Sequence, residues 1–173
     1  MTVIITPRLV LRELDADDAA FILELLNEHD FVRYIGDKGV RTLADAREYI
    51  AKGPADSYRR NGFGLYAACL RDGTALGICG LVKRDGLTAP DLGFAFLSRH
   101  RSKGYALESS RAVLERGREV FKLRRILAIT TPDNHRSIGL LEKVGFKYEG
   151  MIRLSDEAGE LKLFGSTGGG EAA

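Results

Sequence analysis

The sequence predicts an α/β fold, of the α+β kind, built as a single domain. Three observations point there. Segments with apolar residues at helical spacing are interleaved with short apolar or alternating runs of strand character. An Asp72-Gly73 pair between two nearly unbroken apolar runs marks a hairpin. In mid-chain, Asp91 to Gly117 begins as an apolar run, passes through a basic turn of small residues and becomes a helix. At 173 residues, 45% of them hydrophobic, the chain suits one core.

The elements follow in order. Arg8 to Leu14 alternates as a first strand. Asp15 has the character of an N-cap, and Ala19, Ile22, Leu23 and Leu26 give residues 16–28 the face of an amphipathic helix. His29 to Val40, with Gly36 and Gly39, reads as a loop. Thr42 and Asp45 form a capping box for a second helix, which Gly53-Pro54 weakens or ends. Phe63 to Leu70 and Ala75 to Val82 are the hairpin strands, and their apolar character implies burial on both faces. Leu92 to Leu97 is a fourth strand, and Tyr105 to about Val120 is a long helix. Arg125 to Thr130 is a fifth strand, and a short helix capped by Asp133 or Asn134 ends at Gly145. Phe146 to Arg153 and Glu160 to Phe164 complete the set. The domain is expected over residues 1–164, with residues 165–173 (GSTGGGEAA) as a flexible tail.

Composition narrows the function classes. A net charge of +2 gives no reason to expect nucleic acid as the main partner. No apolar run approaches the roughly 20 residues that span a bilayer, so no membrane partner is expected. The N-terminus lacks the features of a signal peptide, which leads to the expectation of a cytoplasmic protein. Cys69 and Cys79 flank the hairpin turn, in a register that pairs Cys69 with Leu76 and turns Cys79 to the other face. Two buried reduced thiols are expected, with no disulfide and no metal site.

The chemistry gathers at the turn Arg101-Ser102-Lys103-Gly104-Tyr105-Ala106. A turn that opens a helix collects unpaired N–H groups at the positive end of the helix dipole, which suits a phosphate. Gly104 and Ala106 allow close approach to the backbone, and Arg99, Arg101 and Lys103 add charge. The spacing is neither that of a P-loop nor that of a dinucleotide fingerprint. It matches [Q/R]-x-x-G-x-[G/A] after an apolar strand, and so resembles the pyrophosphate loop of the GNAT N-acetyltransferases. The segment from Asn134 through Ser137, Ile138, Leu141, Glu142 and Lys143 to Gly145-Phe146 resembles a second signature of that family. The opening TPRLVLREL and the mid-chain string LGFAFLSRHRSKGYALE resemble those of the RimJ/RimL-like subgroup, which acetylates N-terminal amines of ribosomal proteins. The likeness covers roughly residues 6 to 164.

This resemblance implies a mixed, mostly antiparallel sheet of about seven strands, splayed between the fourth and fifth and flanked by about four helices. It implies acetyl-CoA as cofactor, with the diphosphate on backbone N–H groups of residues 102–106 and the pantetheine arm along Phe96 and Leu97. In the loop itself, Arg101, Gly104 and Ala106 fill the fixed positions, with Ser102, Lys103 and Tyr105 between them. Asn134 is a pantetheine contact or a helix cap. Ser137 is the proton donor to the leaving thiolate, or a first-turn cap. Asp91 and Asp156 stand where relatives place carboxylates, as candidate bases or as solvated turn residues; Asp156 is one methylene shorter than the glutamate found there. His29, Arg33 and Tyr34 border the acceptor cleft of this fold. The function implied is acetyl transfer to a primary amine, of a protein N-terminus or of a small molecule, by direct attack in a ternary complex. A non-catalytic acyl-CoA-binding or regulatory module is the alternative, and a homodimer is a family-level expectation.

Overall fold

The computed structural model describes residues 1–168. Two short strands, β1 (Thr2–Ile5) and β2 (Leu9–Arg12), lead into a 3-10 turn at Ala16–Asp18 and helix α1 (Ala19–Leu26). Helices α2 (His29–Tyr34), α3 (Leu43–Lys52) and α4 (Pro54–Asn61) follow. Strands β3 (Leu65–Leu70), β4 (Ala75–Val82) and β5 (Asp91–Phe96) precede the long helix α5 (Tyr105–Glu119). The chain then forms β6 (Arg125–Thr130), α6 (His135–Lys143), β7 (Lys147–Ile152) and β8 (Leu161–Thr167).

One eight-stranded sheet results, in the order β1-β2-β3-β4-β5-β6-β8-β7. Every neighbouring pair is antiparallel except β5 with β6. Both faces of the central strands are covered. On one face Leu11, Tyr66, Cys79 and Leu81 meet Val113 and Leu114 of α5 and Leu141 of α6. On the other, Ala67, Cys69 and Ile78 meet Ile22, Leu25 and Leu26 of α1, Phe31 of α2, and Ala46 and Ile50 of α3. Burial on two sides explains why β3 and β4 read as unbroken apolar runs rather than as an alternation.

The local signals behave as their chemistry dictates. Asp15 caps the 3-10 turn, and Thr42 with Asp45 forms a reciprocal capping box on α3. Gly145 follows α6 with φ of 98°.

Several expectations need correction. There are eight strands, because the β-branched stretch Thr2–Ile5 adds an edge strand ahead of the first one predicted. The stretch expected as a loop after α1 contains α2, a six-residue helix without a side-chain cap and with only Phe31 buried, so it carries no periodic signal. Gly53-Pro54 ends α3 and also starts α4, since Pro54 occupies the first turn, where a missing N–H costs nothing. A bulge between Ala68 and Cys69 places Cys69 opposite Ala75 rather than Leu76. The two cysteines still lie on opposite faces of the sheet, buried and unbonded to one another. Gly165, Ser166 and Thr167, assigned to the tail, are the end of β8, with Gly165 and Ser166 buried. The remainder of the expected tail, residues 169–173, lies outside the described residues.

Candidate active site

Strands β5 and β6 share a single partnered position, Asp91 with Leu127, and diverge beyond it. The backbone of β5 therefore has no strand partner on that side for most of its length. Its polarity follows from alternation along the strand. Leu97 N–H donates to Leu76 O of β4, so the odd-numbered residues face β4, and Leu92, Phe94 and Phe96 turn their N–H and C=O groups the other way. Beyond Leu92, at the meeting point, these groups face the split. A cleft of about 1360 Å³ opens there, lined by Phe94, Ala95 and Phe96 on one side and Ala128, Ile129 and Thr130 on the other.

The C-terminal end of β5 runs into the basic turn. Ser102 and Gly104 both take positive φ, 62° and 83°, and Gly104 precedes the first residue of α5. No side chain caps α5, so its leading N–H groups remain open at the cleft. A side chain at Gly104 would be strained at this φ, and its Cβ would come within 3.1 Å of Arg8 Nη2.

The turn is pinned from behind by the N-terminal segment. Arg8 Nη1 donates to Lys103 O at 2.8 Å, and the guanidinium lies 4.7 Å from the centre of the Tyr105 ring. Glu108 accepts from Arg8 Nε at 2.8 Å, from Arg8 N at 3.0 Å and from Thr6 Oγ1 at 2.5 Å. Burial resists ionisation of Glu108, but the hydrogen bonds from Thr6 and Arg8 outweigh it and hold its carboxyl below the usual range. Glu108 is thus a structural acceptor, and the residues that resemble the subgroup's opening are those that hold the turn before α5.

The side chain of Arg101 is not open to a phosphate. Its Nε donates to Phe96 O at 3.0 Å and its Nη1 pairs with Asp30 Oδ2 at 2.5 Å, which ties the turn to α2. Ser102, Gly104, Tyr105 and Ala106 line the cleft, but Lys103 does not. Leu97 is also set apart, with its N–H on β4 and its side chain in the core beneath α1 and α3.

At the opposite wall, Asn134 is the N-cap of α6, and its Oδ1 accepts from Ser137 N at 3.2 Å. Asp133, the alternative cap, instead meets Arg33 at 3.5 Å. The cap uses only the oxygen of Asn134, so Nδ2 is left over as a donor on a residue that lines the cleft. Ser137 lines it as well. Thr131, which no sequence motif marks, lines the cleft, and its buried Oγ1 has no hydrogen-bond partner among the described residues. A buried hydroxyl without a partner is costly, and this one has almost no surface open to the cleft. With the backbone groups of Phe94 and Phe96 across from it, the cleft has the donors and acceptors that a pantetheine arm requires, and the turn has those a diphosphate requires.

The other candidates separate clearly. Asp91 lies where the two strands meet, only 1% exposed, and both its oxygens accept from Arg84 Nε, at 3.0 and 3.2 Å. Burial pushes its carboxyl up, against the pull of Arg84. Asp156 is exposed in the connection from β7 to β8 and does not line the cleft. Tyr34 lines it, whereas His29, with its side chain 85% exposed, and Arg33 stand outside. Among the described residues no group of three His, Cys, Asp or Glu side chains is placed to hold a metal ion. No helix among them is long and apolar enough to cross a membrane.

A split parallel pair, an amide-rich turn at one end of the opening and a short helix across from it fit an acyl-CoA-dependent acyltransferase. The acetyltransferase (GNAT) domain family matches residues 8–147, and the chain belongs to it. It is 30% identical over 151 residues to the uncharacterized N-acetyltransferase YnaD of Bacillus subtilis, covering 87% of this chain and 85% of that one. The fold is shared with RimL, a ribosomal L7/L12 α-N-protein acetyltransferase solved with coenzyme A, at a TM-score of 0.83 and 13% identity over 96% of this chain and 98% of that one. It is shared too with spermidine N-acetyltransferase from Vibrio cholerae, solved with CoA and spermine, at a TM-score of 0.77 and 18% identity over 94% and 96% of the two chains. The protein is an acetyltransferase, and its cofactor is acetyl-CoA.

Proposed function

We propose that the protein transfers an acetyl group to a primary amine, of a protein N-terminus or a small molecule, by direct attack within a ternary complex. The observation that carries this reading is the split between β5 and β6, with the open turn at one end and Ser137 on the facing wall. Acetyl-CoA supplies the acetyl group as an activated thioester.

The chain's own residues do the rest. N–H groups at the start of α5 bind the diphosphate, and Arg8 and Glu108 keep them in place. The backbone groups of Phe94, the N–H of Phe96 and the side-chain Nδ2 of Asn134 hold the amide-rich arm, so the reacting groups meet without a further loss of rotational freedom. A β5 N–H at the split stabilises negative charge on the acyl oxygen. As the C–S bond breaks, the hydroxyl of Ser137 gives its proton to the departing sulfur and regains one, through water, from the nitrogen that has attacked.

Direct attack is supported by the cysteines, which are buried inside β3 and β4 and do not line the cleft. No side-chain base is required for an α-amine, whose pKa of about 8 leaves a working fraction neutral near pH 7, so water accepts the proton. Asp91 holds Arg84 in this scheme and does not take a proton from the acceptor. Asp156 stands outside the cleft, and its replacement by asparagine should leave turnover unchanged.

The deciding experiment follows release of free CoA thiol against a panel of peptides and small amines, with acetyl-CoA affinity measured alongside by calorimetry. Amine-dependent release with Ser137→Ala slower by about tenfold or more supports the scheme, in line with the usual contribution of a positioned acid. Release that is the same in Ser137→Ala removes Ser137 from the mechanism, and no release with any amine sinks the transfer reading.

A further inference from the structure

We infer that the acceptor carries a carboxylate, and that Arg84, with Lys38 and Tyr49 beside it, is the group that reads it. The inference rests on the transfer reading above and names the chemistry of its second substrate.

Arg84 follows β4 and lies at the end of the cleft remote from the phosphate turn, where β5 begins. It meets Asp91 through Nε alone. Neither Nη group has a protein partner among the described residues, and the side chain is 38% exposed in a residue that lines the cleft. A guanidinium fixed at Nε by a buried carboxylate presents its other edge as a rigid fork, the geometry that takes a carboxylate in two parallel hydrogen bonds. This also gives Asp91 a reason to be buried: it orients the arginine.

The surroundings have the same sign. Lys38 lines this end of the cleft and has no carboxylate partner among the described residues, since its neighbour Asp37 is taken by Arg41. Burial and the charge of Arg84 both lower the pKa of its ammonium, which places the two cations in one field. Tyr49 lines the same region with a hydroxyl that has no protein partner among the described residues, and burial raises its pKa, so it stays a neutral donor. Of the other charges here, Lys83 and Asp85 stand exposed on either side of Arg84 and offset one another, and Asp56 is engaged by Arg59 and Arg60. Asp91 offsets Arg84, and Lys38 together with the second arginine on Asp56 leaves the region net positive.

Two consequences follow for the acceptor. A second ammonium, as in a polyamine, is repelled, whereas a carboxylate is attracted and oriented. The same field favours the neutral form of the reacting amine, because nearby positive charge lowers the pKa of an ammonium group. The site thereby supplies a free amine without a side-chain base.

The carboxylate has two chemical sources, a free amino acid or an acidic side chain near a peptide's N-terminus. The test uses matched pairs: an amino acid and its carboxamide, a peptide with an acidic second residue and its amide counterpart, and a diamine. Each is titrated calorimetrically into the protein saturated with CoA, and each is assayed for thiol release from acetyl-CoA. The expected result is a preference of roughly tenfold to a hundredfold for the carboxylate in one of the two pairs, as for a charge-assisted bond gained. In Arg84→Gln the preference collapses while acetyl-CoA affinity is kept. The double variant Arg84→Gln/Asp91→Asn removes the orphaned buried charge and is expected to behave likewise, so a folding defect in the single variant does not decide the matter. Lys38→Met should reduce the preference in part. Equal binding of carboxylate and carboxamide by the wild-type protein, or a preference that survives in the double variant, overturns the inference. Thiol release with no carboxylate preference leaves the transferase standing and removes this acceptor class. Carboxylate-selective binding without release does the reverse.

Discussion

Arg8 and Glu108 show how two side chains outside the cleft can govern binding inside it. Arg8 holds the carbonyl of Lys103 and covers Tyr105, and Glu108 holds Arg8. Replacement of Arg8 by alanine should therefore weaken acetyl-CoA binding by about tenfold through loss of charge-assisted bonds, with the acceptor KM unchanged. Calorimetry and steady-state kinetics together check this, and an affinity equal to wild type would remove Arg8 from the positioning of the turn. Cys79 makes the opposite point, that a reactive residue type can be silenced by its surroundings. Its thiol is fully buried against Ser110 and pushed up to about 11. Burial raises the Cys69 thiol too. Neither thiol should react with a thiol-specific chromogenic reagent at pH 7.5 in the native protein, and both should react in denaturant. Rapid native labelling would contradict their place inside the strands.

The helix α6 serves two purposes, and one residue separates them. Asn134 caps it through Oδ1 and keeps Nδ2 toward the cleft. Asn134→Asp preserves the cap acceptor and removes the amide donor, whereas Asn134→Ala removes both. Alanine should cost about 1 kcal/mol of stability in a denaturant titration. Aspartate should cost little stability and still weaken acetyl-CoA binding. Unchanged binding in the aspartate variant would leave Asn134 as a cap alone. Elements with a chemical signature were legible in the sequence: Thr42 with Asp45, the Asp72-Gly73 hairpin, the turn at Gly104 and the two apolar hairpin strands all sit where their residues direct. Helix α2 was not, because six residues with one buried side chain leave no period to detect, and α4 was hidden because Pro54 marks a start as well as a stop. At the site, the turn that opens α5 was legible, since glycine at positive φ leaves a trace in residue type. The loss of Arg101 to Asp30, and the pairing of Arg84 with Asp91, join residues that no sequence spacing relates. Thr131 reaches the cleft wall with no motif to mark it.

At the scale of the whole molecule, stability and pH are linked through the buried carboxylates. Burial resists ionisation of Asp18, but the hydrogen bonds from Arg12 and from the Asp15 backbone prevail and hold its carboxyl low. A carboxyl whose folded pKa is depressed contributes stability above its unfolded value, about 4, and loses it as pH falls toward the folded value. Glu108 behaves in the same sense. Asp91 is raised, so its contribution has the opposite sign and fades as pH rises. Denaturant midpoints should thus decline on acidification below about pH 4, with a shallower decline in Asp18→Asn measured against its own neutral value. Equal slopes in the two proteins would show that Asp18 is not the group responsible.

The single partnered position between β5 and β6 makes the molecule, as a mechanical object, two plates. The flanking interfaces, β4 with β5 and β6 with β8, each hold six partnered positions. Tension applied across the sheet should therefore open this seam before any other strand interface, and coenzyme A at saturation should raise the force required. On the proposed scheme a fracture line and a binding groove are one feature of this backbone: the chemistry falls where the fold is easiest to part.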